Sequence, residues 1–344
     1  MSKDPVPSEI SGSPAAVLPA PSWGARRARA LLRPEHAATW GVLLTFALVF
    51  IFFSVDLPGV FFRGENLASI CNSAVVEALI AGGLTIPLVM GDFDLSVGSM
   101  ASVSGALAVI LMAQDGWSVA PAIVAGLALC VLFGIVNGIL VAVFNASAFI
   151  MTLAMASVIS GVEYLLTKQE TIVSGIPKGF ADIGSTSVGG VIAPVFVVMG
   201  IVLVTGLIMS HTIAGREVYA AGANREAARL VGVRITRLRM VAFVISALLA
   251  GLAGIFISAI LSDTTPNAGS SYLLPAFAAA FLGSVLFPSR RFSVVGAAIA
   301  AWLLQMVATG LVEENLAAWT ISVFDGGVLI LAVLTALKTR RFAR

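Results

Sequence analysis

Two carboxylates, Asp92 and Asp94, stand two residues apart in the stretch G-D-F-D-L-S-V-G-S-M, between segments that carry almost no other charge. A carboxylate pair can bind a cation, exchange a proton or accept hydrogen bonds from a polar solute. A single carboxylate can instead cap a helix by accepting from the amides of its first turn. Asp94 is well placed to cap a helix that starts near Leu95, with the amide of Ser96 or Val97 as the donor. Asp92 has no such capping role, so it is the better candidate for contact with a solute.

The composition of the chain indicates that lipid surrounds these residues. Of the 344 residues, 59% are hydrophobic and only 11% are charged, whereas about a quarter of the residues of a soluble protein are charged. Several charge-free runs reach the ~20 residues with which a helix spans a bilayer. The sequence therefore predicts an all-α integral membrane protein, and its formal net charge of +2 does not favour a nucleic-acid partner.

About ten transmembrane helices are predicted, and the charges orient them. Of the 20 Lys and Arg residues, only Arg63, Lys168 and Lys178 fall on outer loops if the N-terminus is cytosolic, which satisfies the positive-inside rule. An even number of spans places both termini in the cytosol. The predicted spans are residues 38–55, 67–90, 95–113, 118–143, 148–167, 191–210, 240–261, 272–287, 293–311 and 317–337.

Polar side chains inside these spans are candidates for a translocation pathway. A charge near the bilayer centre costs at least about 2.5–3.5 kcal/mol, so such a group faces a cavity or a partner. The stretch 91–98 itself allows two structures: a capped cytosolic turn, or a re-entrant segment that lines the pathway. The pathway candidates are Glu77, Asp92, Asp94, Ser96, Asn137 and Asp325.

The sequence holds no catalytic or metal-binding motif: it has no phosphate-binding loop, no HExxH, no GxSxG and no Cys/His metal spacing. Cys71 and Cys130 are expected to be buried free thiols. We therefore predict no catalytic residue, no metal and no cofactor bound by this chain, and a membrane-embedded enzyme is disfavoured.

Two segments differ in composition from the spans. Residues 1–36, rich in proline and then arginine, predict a disordered basic cytosolic tail before a single membrane domain, 37–344. Within that domain the cytosolic segment 211–239 predicts a short helix, which Asn224 caps and Gly232 ends. Its Ala227, Ala228 and Val231 are expected to share an apolar face. Such a short exposed helix is poorly stable alone, which indicates a docking partner, although an ordinary basic loop would also satisfy the charge rule.

These motifs resemble those of one family. G-D-F-D-L-S-V-G-S-M is similar to the G-G-I-D-L-S-V-G-S signature of the ribose/xylose-type permeases of ATP-binding-cassette sugar importers. The segment G-R-E-V-Y-A-A-G-A-N-R-E-A-A-R-L-V-G-V is similar to the cytosolic coupling segment of the same permeases. The chain departs from the family at Asp92 and Phe93, which replace Gly-Ile, and at L-F-P-S-R-R-F (286–292), where a Gly-rich turn is usual.

The resemblance implies a permease dimer, of two copies or of a copy and a paralogue, in the bacterial inner membrane. It also implies cytosolic ATP-binding-cassette subunits, which hold ATP and Mg, and an extracytoplasmic sugar-binding protein. The residues that it assigns to coupling with the ATPase are Gly215, Arg216, Gly222, Arg225, Glu226, Ala227, Ala228, Arg229 and Gly232.

Other functions remain open on the sequence alone. A related permease for a nucleoside, an amino acid or a signalling furanose would share the topology and the coupling segment. An ion-coupled secondary carrier would use Glu77 and Asp325 as its coupling carboxylates.

Overall fold

A computed structural model describes residues 34–286 and 291–341 of the chain. Six helices precede a short hairpin: α1 (Pro34–Asp56), α2 (Gly64–Val89), α3 (Val97–Ala113), α4 (Val119–Gly138), α5 (Ala148–Thr167) and α6 (Lys178–Ser185). The antiparallel hairpin is formed by β1 (Ser187–Val188) and β2 (Val191–Ile192). Seven helices follow it: α7 (Ala193–His211), α8 (Ile213–Ala223), α9 (Arg225–Leu230), α10 (Ile235–Leu261), α11 (Leu273–Leu286), α12 (Val294–Glu313) and α13 (Trp319–Arg341).

Seven of the described helical segments are long and apolar enough to cross a membrane. They include α4 together with its π-helical extension Ile139–Val143, and α11 together with the 3₁₀ turn Ala268–Tyr272 that precedes it. Three shorter apolar helices, Phe46–Asp56, Val97–Ala113 and Trp319–Thr335, lie where the sequence predicts further spans. The prediction of a helical, multi-pass membrane protein is therefore confirmed.

Some local features differ from the sequence prediction. The helix expected to begin near Leu95 begins at Val97, because residues 95 and 96 form a turn before it. The segment 168–190, which the sequence predicts to be an outer loop, contains α6 and most of the hairpin, and the lengths of the apolar runs do not reveal them. The predicted tail lies outside the described residues up to position 33, and residues 34–36 already belong to α1.

The core forms around α10, which packs against α2, α3 and α4. Small residues permit this close packing: a Cβ on Gly254 of α10 would collide with the backbone carbonyl of Ala101 in α3. Helices in membranes associate through such small-residue contacts. A polar residue on the inner face of α10 is therefore surrounded by protein, and it must find its partners there.

Candidate functional site

Asp92 lies between two arginines in the turn that joins α2 to α3. Its carboxylate accepts from Arg239 twice, over 2.7 Å from Nε to Oδ2 and 2.9 Å from Nη2 to Oδ1. Arg225 Nη2 donates to the same Oδ1 over 2.9 Å. Asp92 and Arg239 are buried, whereas the Arg225 side chain is 40% exposed. A buried charge requires such pairing, so this ion triad joins the turn to α9 and α10.

The backbone at the end of α2 places Asp92 in this position. Gly91 has a φ of +80°, which favours glycine. Its amide donates to the Leu88 carbonyl, and the Asp92 amide donates to the Pro87 carbonyl, both over 3.0 Å. These two bonds form a Schellman motif, which ends a helix and turns the chain sharply. Asp92 is therefore held directly beyond the α2 terminus, where Arg225 also donates to the Met90 carbonyl over 2.7 Å.

Asp94 is the centre of a buried hydrogen-bond network. Its Oδ1 accepts from the Ser96 amide over 3.1 Å, as the sequence predicts, and from the Ser96 hydroxyl over 2.6 Å. Its Oδ2 accepts from Ser246 of α10 over 2.9 Å. Asn137 of α4 donates from Nδ2 to the Ser96 hydroxyl over 2.9 Å. All four residues are buried, so Asp94 fixes the start of α3 and also links it to α4 and α10.

The backbone between the two aspartates is fixed by α5. The hydroxyl of Thr152 accepts from the Leu95 amide over 3.0 Å. The same hydroxyl lies within donating distance of the carbonyls of Ala148, at 2.8 Å, and Phe93, at 3.1 Å. Phe93 itself stacks on Phe277 of α11, with ring centroids 6.1 Å apart. The turn is therefore fixed by contacts with α5 and α11.

Sequence reasoning missed Arg239, Ser246 and Thr152 as site residues. A signal for the first two exists, because the buried positions Ile235, Arg239, Ala242 and Ser246 follow each other at helical spacing. An arginine on that apolar face requires an anion. The positive-inside rule already accounts for an arginine at position 239, so it gives no reason to expect that Arg239 pairs with Asp92.

Glu77 and Asp325 form a second polar region, away from the turn. Glu77 lies twelve residues before the end of α2, about 18 Å along the helix. It is buried, and its Oε1 has no hydrogen-bond partner in the described part of the chain. The carboxyl group of Asp325 in α13, which is only partly buried, is near enough to that of Glu77 for the two to repel each other when both are ionised. The structure therefore brings Asp94, Ser96 and Asn137 together, but it does not join Glu77 and Asp325 to them.

The segment 211–239 forms the helix that the sequence predicts. Asn224 Oδ1 accepts from the Ala227 amide over 3.0 Å, which caps α9. Gly232, with a φ of +88°, donates to the Arg229 carbonyl. Together with the bond from the Val233 amide to the Ala228 carbonyl, over 3.1 Å, this bond forms a second Schellman motif. The predicted cap and the predicted end of this helix are confirmed.

The faces of α9 differ from the prediction. Ala228 is buried, but Ala227, inside the helix, and Val231, just beyond its last residue Leu230, are exposed, so the three residues do not share a buried face. Leu230 and Val231 are 88% and 80% exposed. This pair of exposed apolar side chains lies next to the exposed Arg229, and the sequence prediction did not include it.

Two glycines of the segment allow close backbone contacts. A Cβ on Gly222 of α8 would collide with the carbonyl of Val89 at the end of α2, and one on Gly215 would collide with the backbone of Met209. The α8–α9 unit is therefore held against the same end of α2 that carries Asp92.

Comparison with known proteins identifies the fold family. Residues 66–333 match the family described as "Branched-chain amino acid transport system / permease component". The chain belongs to this permease family. It is 34% identical to the ribose import permease protein RbsC of Escherichia coli K12 over 295 residues, which cover 85% of this chain and 91% of RbsC.

Two further permeases that are similar to this chain are named for other solutes. The autoinducer 2 import system permease protein LsrC of Escherichia coli (strain K12 / DH10B) is 31% identical over 296 residues, covering 85% of this chain and 84% of LsrC. The L-arabinose ABC transporter permease protein AraH of Azospirillum brasilense is 28% identical over 294 residues, covering 86% of each chain. The resemblance to importer permeases predicted from the motifs is therefore confirmed.

Only one of the two aspartates matches the permease signature. Asp94 is the aspartate of the D-L-S-V-G signature, whereas Asp92 stands where that signature has glycine. The hydrogen-bond network of Asp94 thus belongs to a family position. The ion triad of Asp92 uses a carboxylate that the signature lacks.

Proposed function

We propose that this permease is the transmembrane subunit of an ATP-binding-cassette importer that carries a ribose- or xylose-like monosaccharide, or a similar small polyol, into the cell. The match to RbsC over 91% of its length carries the proposal. The L-arabinose permease AraH matches over a similar share of the chain. A nucleoside, an amino acid or a signalling furanose are the alternative solutes.

The proposed topology has about ten spans and two cytosolic termini in a bacterial inner membrane. Seven described segments satisfy the length and apolarity of a span, and three shorter apolar helices supply the remaining crossings. The arginines of α8, α9 and the first turn of α10 then lie in the cytosol, as the charge rule requires.

The partners proposed for this chain follow from the importer architecture. A second permease, either a copy or a paralogue, completes the pathway, and an extracytoplasmic sugar-binding protein delivers the solute. Cytosolic ATP-binding-cassette subunits hold ATP and Mg, so the permease itself has no ATPase site. The exposed pair Leu230 and Val231, with Arg229 beside it, is the proposed contact of α9 with those subunits.

The ion triad provides the mechanical link. When the ATPase subunits move α9, Arg225 transmits that motion to Asp92 and to the end of α2. The turn then acts on α3, α4 and α10 through the bonds of Asp94. A packed network of this kind has few intermediate arrangements, so a small movement is converted into a switch between inward- and outward-facing states. Glu77 and Asp325, on α2 and α13, are the proposed polar groups of the solute pathway.

Reconstitution tests this function. The permease, its ATPase subunit and its binding protein are placed in liposomes, and uptake of radiolabelled monosaccharides is measured. Uptake that requires ATP and the binding protein, and that persists with an ionophore, is expected. Uptake that collapses with the ionophore and ignores ATP would identify an ion-coupled carrier instead.

A further inference from the structure

A cavity of about 550 Å³ lies where α7 ends and α8 begins. Arg216 of α8 and Arg291, just before α12, both line it, together with Ser210 and Ser293. No carboxylate of the described residues forms an ion pair with either arginine. Two guanidinium groups with neighbouring hydroxyls form a favourable environment for a phosphate or another oxyanion.

Tyr219 holds the wall of this cavity in place. Its hydroxyl donates to the Phe292 carbonyl over 2.8 Å, and the guanidinium carbon of Arg291 lies 5.8 Å from its ring centroid. Burial raises the pKa of Tyr219, although Arg291 opposes this effect, so the hydroxyl remains protonated and keeps donating. Arg291 donates no hydrogen bond to the ring in a cation–π contact of this length, and its five N–H groups can still donate to a ligand.

An apolar groove of about 380 Å³ lies between the same two helices, α7 and α12, with α2 as its floor. Val198 and Leu203 of α7 face Val295 and Ala298 of α12 across it. Val295 stands two residues after Ser293, which lines the cavity. The groove extends along α12 to Trp302, whose Nε1 donates to Cys71 over 3.4 Å.

The dimensions of the two features match one lipid. From Ser293 to Trp302 the axis of α12 rises by about 14 Å, roughly half of the ~30 Å hydrocarbon core of a bilayer. The basic cavity is at the arginine-rich end of this path, and the apolar groove is inside the membrane zone. Inorganic phosphate would use only the cavity, and a cytosolic protein would not reach the groove.

We infer that the groove between α7 and α12 binds an anionic phospholipid, whose phosphate lies between Arg216 and Arg291 and whose acyl chain lies along α12. With the proposed orientation this lipid belongs to the cytosolic leaflet. Because the lipid touches both α8 and α12, it stabilises the α8–α9 unit against the membrane domain.

Lipid titration of the purified full-length chain in detergent tests the inference. Phosphatidylglycerol and phosphatidylcholine with identical acyl chains are compared by thermal unfolding and by native mass spectrometry. We expect phosphatidylglycerol to raise the unfolding temperature and to remain bound. Each arginine near an anionic headgroup contributes about 1 kcal/mol, so the double variant Arg216→Gln/Arg291→Gln should bind phosphatidylglycerol about thirtyfold more weakly.

A matched control and a groove variant separate the possible results. Arg234→Gln/Arg237→Gln removes the same charge from exposed positions of the same cytosolic segment, and it should bind the lipid normally. Ala298→Phe narrows the groove without changing charge, and it should also weaken lipid binding. Equal weakening by the control pair would show non-specific attraction and would overturn the inference.

Two other outcomes also overturn it. Stabilisation by inorganic phosphate alone, unaffected by Ala298→Phe, would reduce the site to an anion cavity without a lipid. Equal stabilisation by phosphatidylcholine would remove the role of the arginines. A variant that unfolds is recognised by its unfolding temperature in phosphatidylcholine, and in that case the single variants Arg216→Gln and Arg291→Gln replace it, each of which should bind phosphatidylglycerol about fivefold more weakly.

Discussion

The ion triad around Asp92 predicts that its two arginines contribute differently. Arg239 is almost completely buried, with 6% of its side chain exposed, and it bonds both oxygens of Asp92. Arg225 is 40% exposed and shares one of those oxygens. We therefore compare three variants: Asp92→Ala, Arg225→Gln and the double variant Asp92→Ala/Arg239→Leu.

The expected free energies of unfolding follow from burial. Asp92→Ala leaves Arg239 buried without an anion, and removal of one partner of a buried pair costs about 3–5 kcal/mol. Arg225→Gln should cost about 1 kcal/mol or less, because solvent screens this arginine and Asp92 keeps Arg239. The double variant replaces both buried charges by apolar groups, which is close to neutral in other proteins, so it should recover most of the stability lost in Asp92→Ala.

Chemical unfolding of the purified chain in mixed micelles measures these differences. Arg237→Gln, an exposed neighbour on α10, is the control and should stay within about 0.5 kcal/mol of the natural chain. In liposomes, Arg225→Gln should insert and fold but should lose most of the stimulation of ATPase activity by the loaded binding protein, because the ion triad then no longer links α9 to Asp92.

Two results would refute this reasoning. If Arg225→Gln lowered the free energy of unfolding as much as Asp92→Ala, the exposed arginine would be part of the structural pair. If the double variant were no more stable than Asp92→Ala, the loss would not come from an uncompensated charge on Arg239.

Five further variants test the remaining contacts. Asn224→Ala removes the cap of α9 and should destabilise that helix by about 1 kcal/mol, seen as faster hydrogen exchange there and normal exchange in α10. Gly232→Val places a β-branched residue at positive φ and should uncouple ATPase activity from uptake, with normal membrane insertion. Leu230→Ser/Val231→Ser should reduce co-purification of the ATPase subunit without lowering thermal stability, because both side chains are exposed. Asp94→Asn should retain uptake, whereas Asp94→Leu should fail to fold; equal loss of uptake in both would assign the role of Asp94 to its charge.

Features that depend on neighbouring residues could be predicted from the sequence. The bond from the Ser96 amide to Asp94 joins positions two residues apart, and the Asn224 cap joins positions three residues apart. Such contacts depend on backbone geometry that the residue types themselves favour. The positions of the apolar helices were predictable for a similar reason, because a bilayer sets their length.

Features that depend on packing were not predictable in the same way. Asp92 meets Arg239 across 147 positions of the chain, and only the arrangement of α2 against α10 brings them together. The position of Thr152 against the turn requires α5 to pack on α3. The exposure of Leu230 and Val231 was not predictable either, because it depends on which neighbouring helices pack on α9 and not on the end of the helix, which the sequence does predict.

The two aspartates of the turn show how a membrane protein accommodates charge by two different routes. Asp94 accepts hydrogen bonds from the amide and hydroxyl of Ser96, just before α3, and from the hydroxyl of Ser246 in α10. Its environment therefore provides hydrogen bonds without a countercharge. Asp92 is paired with Arg225 of α9 and Arg239 of α10, so its environment provides positive charge. A hydroxyl network can remain intact while helices move slightly, whereas the partly exposed Arg225 can leave the triad at the cost of its two bonds, to Asp92 and to the Met90 carbonyl. Asp94 is therefore suited to hold the turn together, and Asp92 to sense the position of α9.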